Sequence, residues 1–362
     1  MDFWNCYQGK KVLITGHTGF KGSWLSIWLK ELGAEVYGYS LAPYSEQDNF
    51  VACNLQQKIN HYEGDVRDGR SLKAYFDKVQ PDIAFHLAAQ PLVLLSYKNP
   101  AATFETNLMG VVNFFEAVRQ TSSVKAAINI TSDKCYENKE WVWGYRENDP
   151  MGGKDPYSAS KGCAELITSS YIDSFFNAEN ACAVASGRAG NVIGGGDWAA
   201  DRIVPDFFRA AQSGEILHLR NPQATRPWQH VLEPLSGYLT VGAMLFLQGK
   251  KYSGGWNFGP SDANNYPVKT LIDQIKKEIG LGNYIFDEST GSLHEANFLK
   301  LDISKSVNQL GWSSILSFEE TVKFTTDAYL ADRKQENILN SRIKQIQDYT
   351  QKARNKASWA SK

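Results

Sequence analysis

Apolar runs of strand length recur near residues 12–15, 36–39, 82–87, 126–131 and 181–186, with helix-length segments between them. That alternation predicts an α/β fold built on a parallel, doubly wound sheet. Val12-Leu-Ile-Thr15 reads as a short buried strand running into Gly16-His-Thr-Gly19-Phe-Lys-Gly22. Trp24, Leu25, Trp28, Leu29 and Leu32 then recur at helical spacing, and Gly33 stands where a left-handed C-terminal cap belongs. Strand, glycine turn and helix make a phosphate cradle: glycines let the backbone approach a pyrophosphate, and the unpaired N–H groups at the helix start hold its charge. After Arg188 the texture changes to Gly190-Asn-Val-Ile-Gly-Gly-Gly-Asp197, then to proline-punctuated segments through Arg226-Pro-Trp-Gln-His230. An apolar helix is expected around Tyr238 to Leu247, and the polar stretch from Asp332 to Lys362 reads as a peripheral helix with a frayed end.

Composition narrows the class. A chain of 362 residues with 43% hydrophobic content can bury a large core and suggests two lobes. A formal net charge of -1 offers no attraction to nucleic acid or to an acidic membrane surface. No apolar stretch reaches the ~20 residues that span a bilayer. The start, Met-Asp-Phe-Trp-Asn-Cys-Tyr, lacks a basic region followed by an apolar run, so a cytoplasmic protein is expected. Cys6, Cys53, Cys135, Cys163 and Cys182 are odd in number and form no Cys-x-x-Cys pair, so neither a disulfide framework nor a metal site is expected.

The chemistry is sharpest in Asp155-Pro-Tyr-Ser-Ala-Ser-Lys161, where a phenol and an amine four residues apart share one helix face. Tyrosine holds its proton to a pKa of about 10, so it works as a base near neutrality only if a neighbouring cation stabilises the phenolate. Lys161 is that cation. The spacing Gly-x-x-Gly-x-x-Gly with a later Tyr-x-x-x-Lys resembles the extended short-chain dehydrogenase/reductase family. Gly64-Asp65-Val66-Arg67-Asp68 is similar to that family's adenine-contacting step, and His86-Leu-Ala-Ala-Gln90 ends a strand where the family lines its cofactor. Ile128-Asn-Ile-Thr131 delivers Ser132, the position of the family's active-site hydroxyl. The resemblance covers roughly residues 9 to 330. It implies a Rossmann sheet binding NAD through Gly16, His17, Gly19, Phe20, Lys21, Gly22, Ser40, Asp65, Val66, Leu87, Ala88, Ala89, Tyr157 and Lys161. One position departs from the pattern. The second strand ends at Ser40 where the family carries an acid for the ribose, so the residues themselves leave a 2′-phosphate open.

Asp133 and Lys134 follow Ser132 directly. An acid there resembles the nucleotide-sugar 4,6-dehydratases, in which the pair is usually Asp-Glu, and Lys in the second place is similar to the branch acting on CDP-glucose. Eliminating water across carbons 5 and 6 of a hexose needs one group to protonate the departing hydroxyl and another to take the carbon 5 proton. The resemblance gives those parts to Asp133 and Lys134, with Ser132, Tyr157 and Lys161 oxidising carbon 4. It also implies substrate contacts from Gln90, Asn191, Arg202, Arg220, Arg226 and His230, and assembly as a homodimer or homotetramer. The expected division is a cofactor domain of residues 1–187 plus about 226–250, a smaller mixed α/β substrate lobe of 188–225 plus about 251–335, and a polar C-terminal segment, 336–362. A dTDP- or GDP-sugar dehydratase, a sugar-nucleotide epimerase, and a noncatalytic NAD or nucleotide sensor are the other readings. The intact Ser132, Tyr157 and Lys161 speak against the sensor, and Asp133 against the epimerase.

Overall fold

A computed structural model of the chain describes residues 3–219, 221–260, 265–286, 299–334 and 337–356. Seven strands form one parallel sheet: β1 (Lys11–Thr15), β2 (Glu35–Ser40), β3 (Asn60–Glu63), β4 (Ile83–His86), β5 (Ala126–Ile130), β6 (Ala183–Ala189) and β7 (Gly254–Phe258). Their spatial order is β7-β6-β5-β4-β1-β2-β3. The winding reverses at β1, between β4 and β2, and in a doubly wound sheet the crevice beyond the strand ends at that switch is where ligands bind.

The helices that matter here are α1 (Phe20–Glu31), α2 (Gly69–Val79), α3 (Gly110–Arg119), α4 (Pro156–Phe175), α5 (Ile203–Ser213), α6 (Leu232–Gln248), α7 (Val268–Ile279), α8 (Phe318–Arg333) and α9 (Ile338–Lys356). Both sheet faces are covered, and that explains why β1, β4, β5 and β6 read as unbroken apolar runs rather than alternating ones. One face packs Trp24, Trp28, Leu235, Leu239, Trp312 and Tyr349 against Val12, Phe85 and Ile128. The other packs Leu72, Phe76, Phe114 and Ala164 against Leu13, Ala84, Ala127 and Val184. A separate cluster holds Val204 and Phe207 of α5, Leu271 and Ile275 of α7, and Phe318 and Tyr329 of α8. Short strand pairs lie beside it, including Ile216–Leu219 with Asn283–Phe286 and Thr225–Pro227 with Asn265–Pro267.

Two sheet strands were not anticipated. β3 is an edge strand of Asn-His-Tyr-Glu with little buried surface, and β7 begins with two glycines. The C-terminal segment also differs from a loose peripheral helix. The outer face of α9 is polar, but Arg342, Tyr349 and Ala353 are fully buried against the main core. No helix among the described residues is long and apolar enough to cross a membrane, and none of their His, Cys, Asp and Glu residues group as a metal site.

Candidate active site

β1 ends directly in the glycine turn. Gly16 has φ +76, and a Cβ there would collide with the backbone of Ala88 at the end of β4. A Cβ on Gly22 would strike the Gly16 carbonyl. The turn can therefore be made only of glycine at these positions, and α1 starts at Gly19 without a side-chain cap. Its first N–H groups are left to a ligand, and the cradle fits the pyrophosphate of a dinucleotide. Leu87 N–H donates to Thr15 O, which fixes Leu87, Ala88 and Ala89 along the crevice. Ser40 is buried, and its hydroxyl pairs with Thr18 Oγ1 at 2.8 Å. The Asp65 carboxylate takes the Arg67 guanidinium at 2.8 and 2.5 Å, next to buried Val66.

His17 was expected to contact the cofactor, and the structure corrects this for its side chain. The ring turns inward over Gly38, where any Cβ would collide with it, packs edge-on to Phe50, and meets His61 Nδ1 through Nε2 at 2.7 Å. Burial, with His61 next in effect, lowers its pKa to about 3. Only its backbone remains for a phosphate. Lys21 points the other way, toward the reaction centre. Burial and Arg202 lower its ammonium to about 8, against the pull of Asp133.

The centre forms where β5 meets α4. Ser132 continues β5 in extended conformation, donates to Asp133 Oδ1 at 2.9 Å, and accepts from Lys134 N–H at 3.2 Å. Asp155 caps α4 by accepting from Ser158 N–H at 2.9 Å, with Pro156 at the first helical position. That start turns Tyr157 and Lys161 onto Ser132. The Tyr157 phenol is buried and raised to about 12, chiefly by burial, while its hydrogen bond with Ser132 and the charge of Arg202 work downward. Lys161 is buried too, donates to Ile130 O at 3.4 Å, and is lowered to about 8 by burial against the upward pull of Glu165. Burial pushes the Asp133 carboxyl above its ordinary range, although Lys134, Ser132, Lys21 and Arg226 all act to lower it. The arrangement offers a phenol, a hydroxyl and an ammonium for oxidising an alcohol, beside a carboxyl able to hold a proton.

The expected substrate residues divide. Arg202 donates to Asp197 at 2.8 Å and its charge acts on Tyr157; Arg226 is buried and acts on Asp133. Asn191 is half-buried in the loop after β6, and its carbonyl accepts from Gln229 N–H. His230 is a correction, whereas Gln90 is only half-buried. The Gln90 amide closes its own loop, donating to Leu92 O and Thr103 Oγ1 and accepting from Leu92 N–H. His230 has no exposed surface and sits edge-on to Trp24 and Phe324, so the ring cannot meet a substrate. Arg220 lies outside the described residues.

Four residues near the centre were not singled out as site residues by the sequence. Gly190 abuts Asp133 Oδ2 and borders a small cavity, about 10 Å³, also lined by Gln229, Asn265 and Lys300. The side-chain amide oxygens of Gln229 and Asn265 have no hydrogen-bond partner among the described residues, a lining that suits a ligand with hydroxyl or amine donors. No motif marks these positions as site residues; Asn265 pairs with Pro227, Gln229 N–H donates to the carbonyl of Asn191 next to Gly190, and the Lys300 carbonyl accepts from Tyr145 N–H.

A family profile described as GDP-mannose 4,6 dehydratase matches residues 13–325. The chain is 48% identical over 349 residues to CDP-glucose 4,6-dehydratase of Salmonella typhimurium, covering 95% of this chain and 97% of that protein. It is 25% identical to dTDP-glucose 4,6-dehydratase of Xanthomonas campestris, covering 89% and 93%. Among solved structures it resembles dTDP-glucose 4,6-dehydratase from Bacillus anthracis in complex with NAD, with TM-score 0.72, 19% identity and 91% and 100% of the two chains covered. UDP-glucose-4-epimerase from Stenotrophomonas maltophila with bound NAD gives TM-score 0.78 at 19% identity, covering 90% and 99%. The structural likenesses establish the fold.

Proposed function

The chain belongs to the GDP-mannose 4,6-dehydratase family, and on that premise we propose that it is a lyase removing water from CDP-D-glucose to give CDP-4-dehydro-6-deoxy-D-glucose. The observation that carries this reading is Asp133, a buried carboxyl beside Ser132 whose pKa is pushed upward by that burial. An acid that must keep its proton until a hydroxyl departs needs that environment. The 48% identity to a CDP-glucose 4,6-dehydratase, together with Lys134 after Asp133, supports the choice of nucleotide sugar.

When bound, NAD supplies the acceptor for the hydride leaving carbon 4 and the donor that returns it to carbon 6, so none is consumed. Tyr157 removes the 4-hydroxyl proton, Ser132 orients that hydroxyl, and Lys161 stabilises the phenolate. The ketone so formed acidifies carbon 5. Lys134 takes the carbon 5 proton while Asp133 gives its own to the departing 6-hydroxyl, and water leaves. Once carbon 6 is reduced, the proton on Lys134 returns to carbon 5, Tyr157 gives up to solvent the proton it took from the 4-hydroxyl, and Asp133 takes one back, so no proton is gained or lost over the cycle. Arg202 and Arg226, with Asn191 beside them, are the groups assigned to the diphosphate.

The test is incubation of the purified protein with CDP-, dTDP-, UDP- and GDP-linked hexoses, followed by mass and by deuterium placed on carbon 4. Loss of one water from CDP-glucose, with the label moved to carbon 6, is expected. Asp133→Asn and Lys134→Ala should block dehydration. Turnover of a different nucleotide sugar would keep the mechanism and overturn the substrate, and an epimer without water loss would overturn the reaction.

A further inference from the structure

Behind the reaction centre lies a buried ionic network that the mechanism above leaves unused. Glu165 stands four residues beyond Lys161 on α4 and pairs with Arg188 of β6 at 2.7 Å, both almost wholly buried. The Glu165 carboxylate also accepts from Ser186 Oγ at 2.7 Å and from Thr131 Oγ1, whose next neighbour is Ser132. Arg188 donates to Tyr136 Oη at 2.6 Å and to Glu147 O at 3.0 Å. Tyr136 in turn donates to Asn257, which binds Tyr145 O and Asp302 O. One ion pair thus joins the helix bearing Tyr157, the strand end bearing Ser132, and the 136–147 segment that follows Lys134.

We propose that Glu165 and Arg188 are positioning residues for the oxidation at carbon 4: they clamp the Ser132 strand end to α4, and their cancelling charges set the field around Lys161. The inference rests on the reading that Tyr157 and Lys161 oxidise the sugar. Groups of either sign face Lys161 from several elements: Glu165 on its own helix, Cys135 after β5, His86 on β4 and Lys21 on α1. Burial pulls the Lys161 ammonium down, and Glu165 is the leading group that pulls it back up. Burial also works to raise Glu165, yet Arg188, Ser186 and Thr131 together hold it below the ordinary carboxylate range. Glu165 therefore stays charged whenever Lys161 does. Arg188 limits how strongly that charge acts.

Removing one partner at a time should move Lys161 in opposite directions, which a merely structural pair would not do. The readout is single-turnover formation of NADH from CDP-glucose and NAD+, followed from about pH 6 to about pH 10. Glu165→Gln takes away the anion and strands a cation, so the alkaline limb should fall by about one pH unit. Arg188→Met exposes Lys161 to the full anion, and the limb should rise by a similar amount. Glu165→Gln with Arg188→Met strands no charge and folds where a single variant does not. Its limb should return to the wild-type position while the rate stays about tenfold low, because Thr131 and Ser186 have lost their anchor. Limbs that do not move, or move the same way, overturn the proposal, as does a wild-type rate in the paired variant. A wild-type enzyme that forms no NADH with any of the four nucleotide sugars overturns the oxidation reading and this inference with it. An active wild type with unmoved variants overturns only the clamp.

Discussion

Arg188 and Arg342 each bury a guanidinium against a carboxylate, Glu165 at 2.7 Å and Asp332 at 2.5 Å, yet the two acids are held differently. Glu165 has Ser186 and Thr131 as further donors and stays below the ordinary carboxylate range. Asp332 has the Arg342 fork, and there burial prevails and pushes the carboxyl up. Extra hydrogen bonds favour the charged form, and without them desolvation wins. The difference separates two uses of the same pair. Beside Lys161 the charge itself matters. At Arg342 the geometry matters: its Nε donates to Asn49 Oδ1 at 2.9 Å, and Asn49 donates to Ser23 Oγ at 3.1 Å in the first turns of α1. The C-terminal helix is thereby fastened to the cofactor cradle, 293 residues away in sequence between Asn49 and Arg342.

The largest effect should come from Arg342→Met. Leaving Asp332 buried without its partner should cost about 3–5 kcal/mol, read from the first urea transition, while the alkaline limb of the variant's activity stays at the wild-type position. A shifted limb would erase the distinction between the two arginines. The next effect comes from Glu233 on α6, which accepts from Tyr349 Oη of α9 at 2.7 Å and from Ile315 and Leu316 N–H. Burial raises its carboxyl from 4.5 to about 7 against those donors. The folded protein therefore keeps a proton that the unfolded chain gives up. This contribution to stability is full below about pH 4.5, declines as pH rises, and is gone above about pH 7, a loss on the order of 3 kcal/mol. Glu233→Gln should flatten that slope in urea titrations. The same slope in the variant would assign it to other groups, Asp332 first.

A smaller effect is expected at Gly255 on β7, where a Cβ would collide with the Arg188 guanidinium. Gly255→Ala should cost about 1–3 kcal/mol and lower the rate by displacing Arg188, with cofactor affinity unchanged. A loss of cofactor affinity instead would mean that the clamp and the cradle are not separate.

That glycine also explains what was legible in the sequence. β1, the glycine turn, Ser132 and the Tyr157–Lys161 pair could be read because their chemistry lies in local spacing along one strand or helix face. β7 could not, since Gly254 and Gly255 look like a turn and the reason for Gly255 is an arginine on the neighbouring strand. β3 is an edge strand with one neighbour and little to bury, so no apolar run marks it. His17 looked like a cofactor residue because it sits in the turn, but Gly38 on β2 gives its ring room to turn inward. Glu165 carried the one readable signal among the missed residues, its i+4 spacing from Lys161. Arg342 carried none, because its partner Asn49 is fixed only by the tertiary fold.

Tyr238 tests the comparison most finely, because it belongs to neither arginine. Its ring on α6 packs against Gly187 and Phe258, and its hydroxyl is fully buried with no partner among the described residues. Burial raises that phenol well above its usual value, and the next contributions come from Asp133 and Tyr157, so the hydroxyl faces the reaction centre. An unpartnered buried hydroxyl costs its desolvation, and replacing it by hydrogen recovers that cost. Tyr238→Phe should therefore stabilise the free protein by about 1 kcal/mol and leave the alkaline limb in place, since no charge is removed. The informative measurement is the same urea midpoint with NAD+ bound. A gain that persists leaves Tyr238 as packing alone; a gain that disappears on binding means the hydroxyl meets the cofactor, and the cradle then extends through α6 to the centre that Arg188 braces.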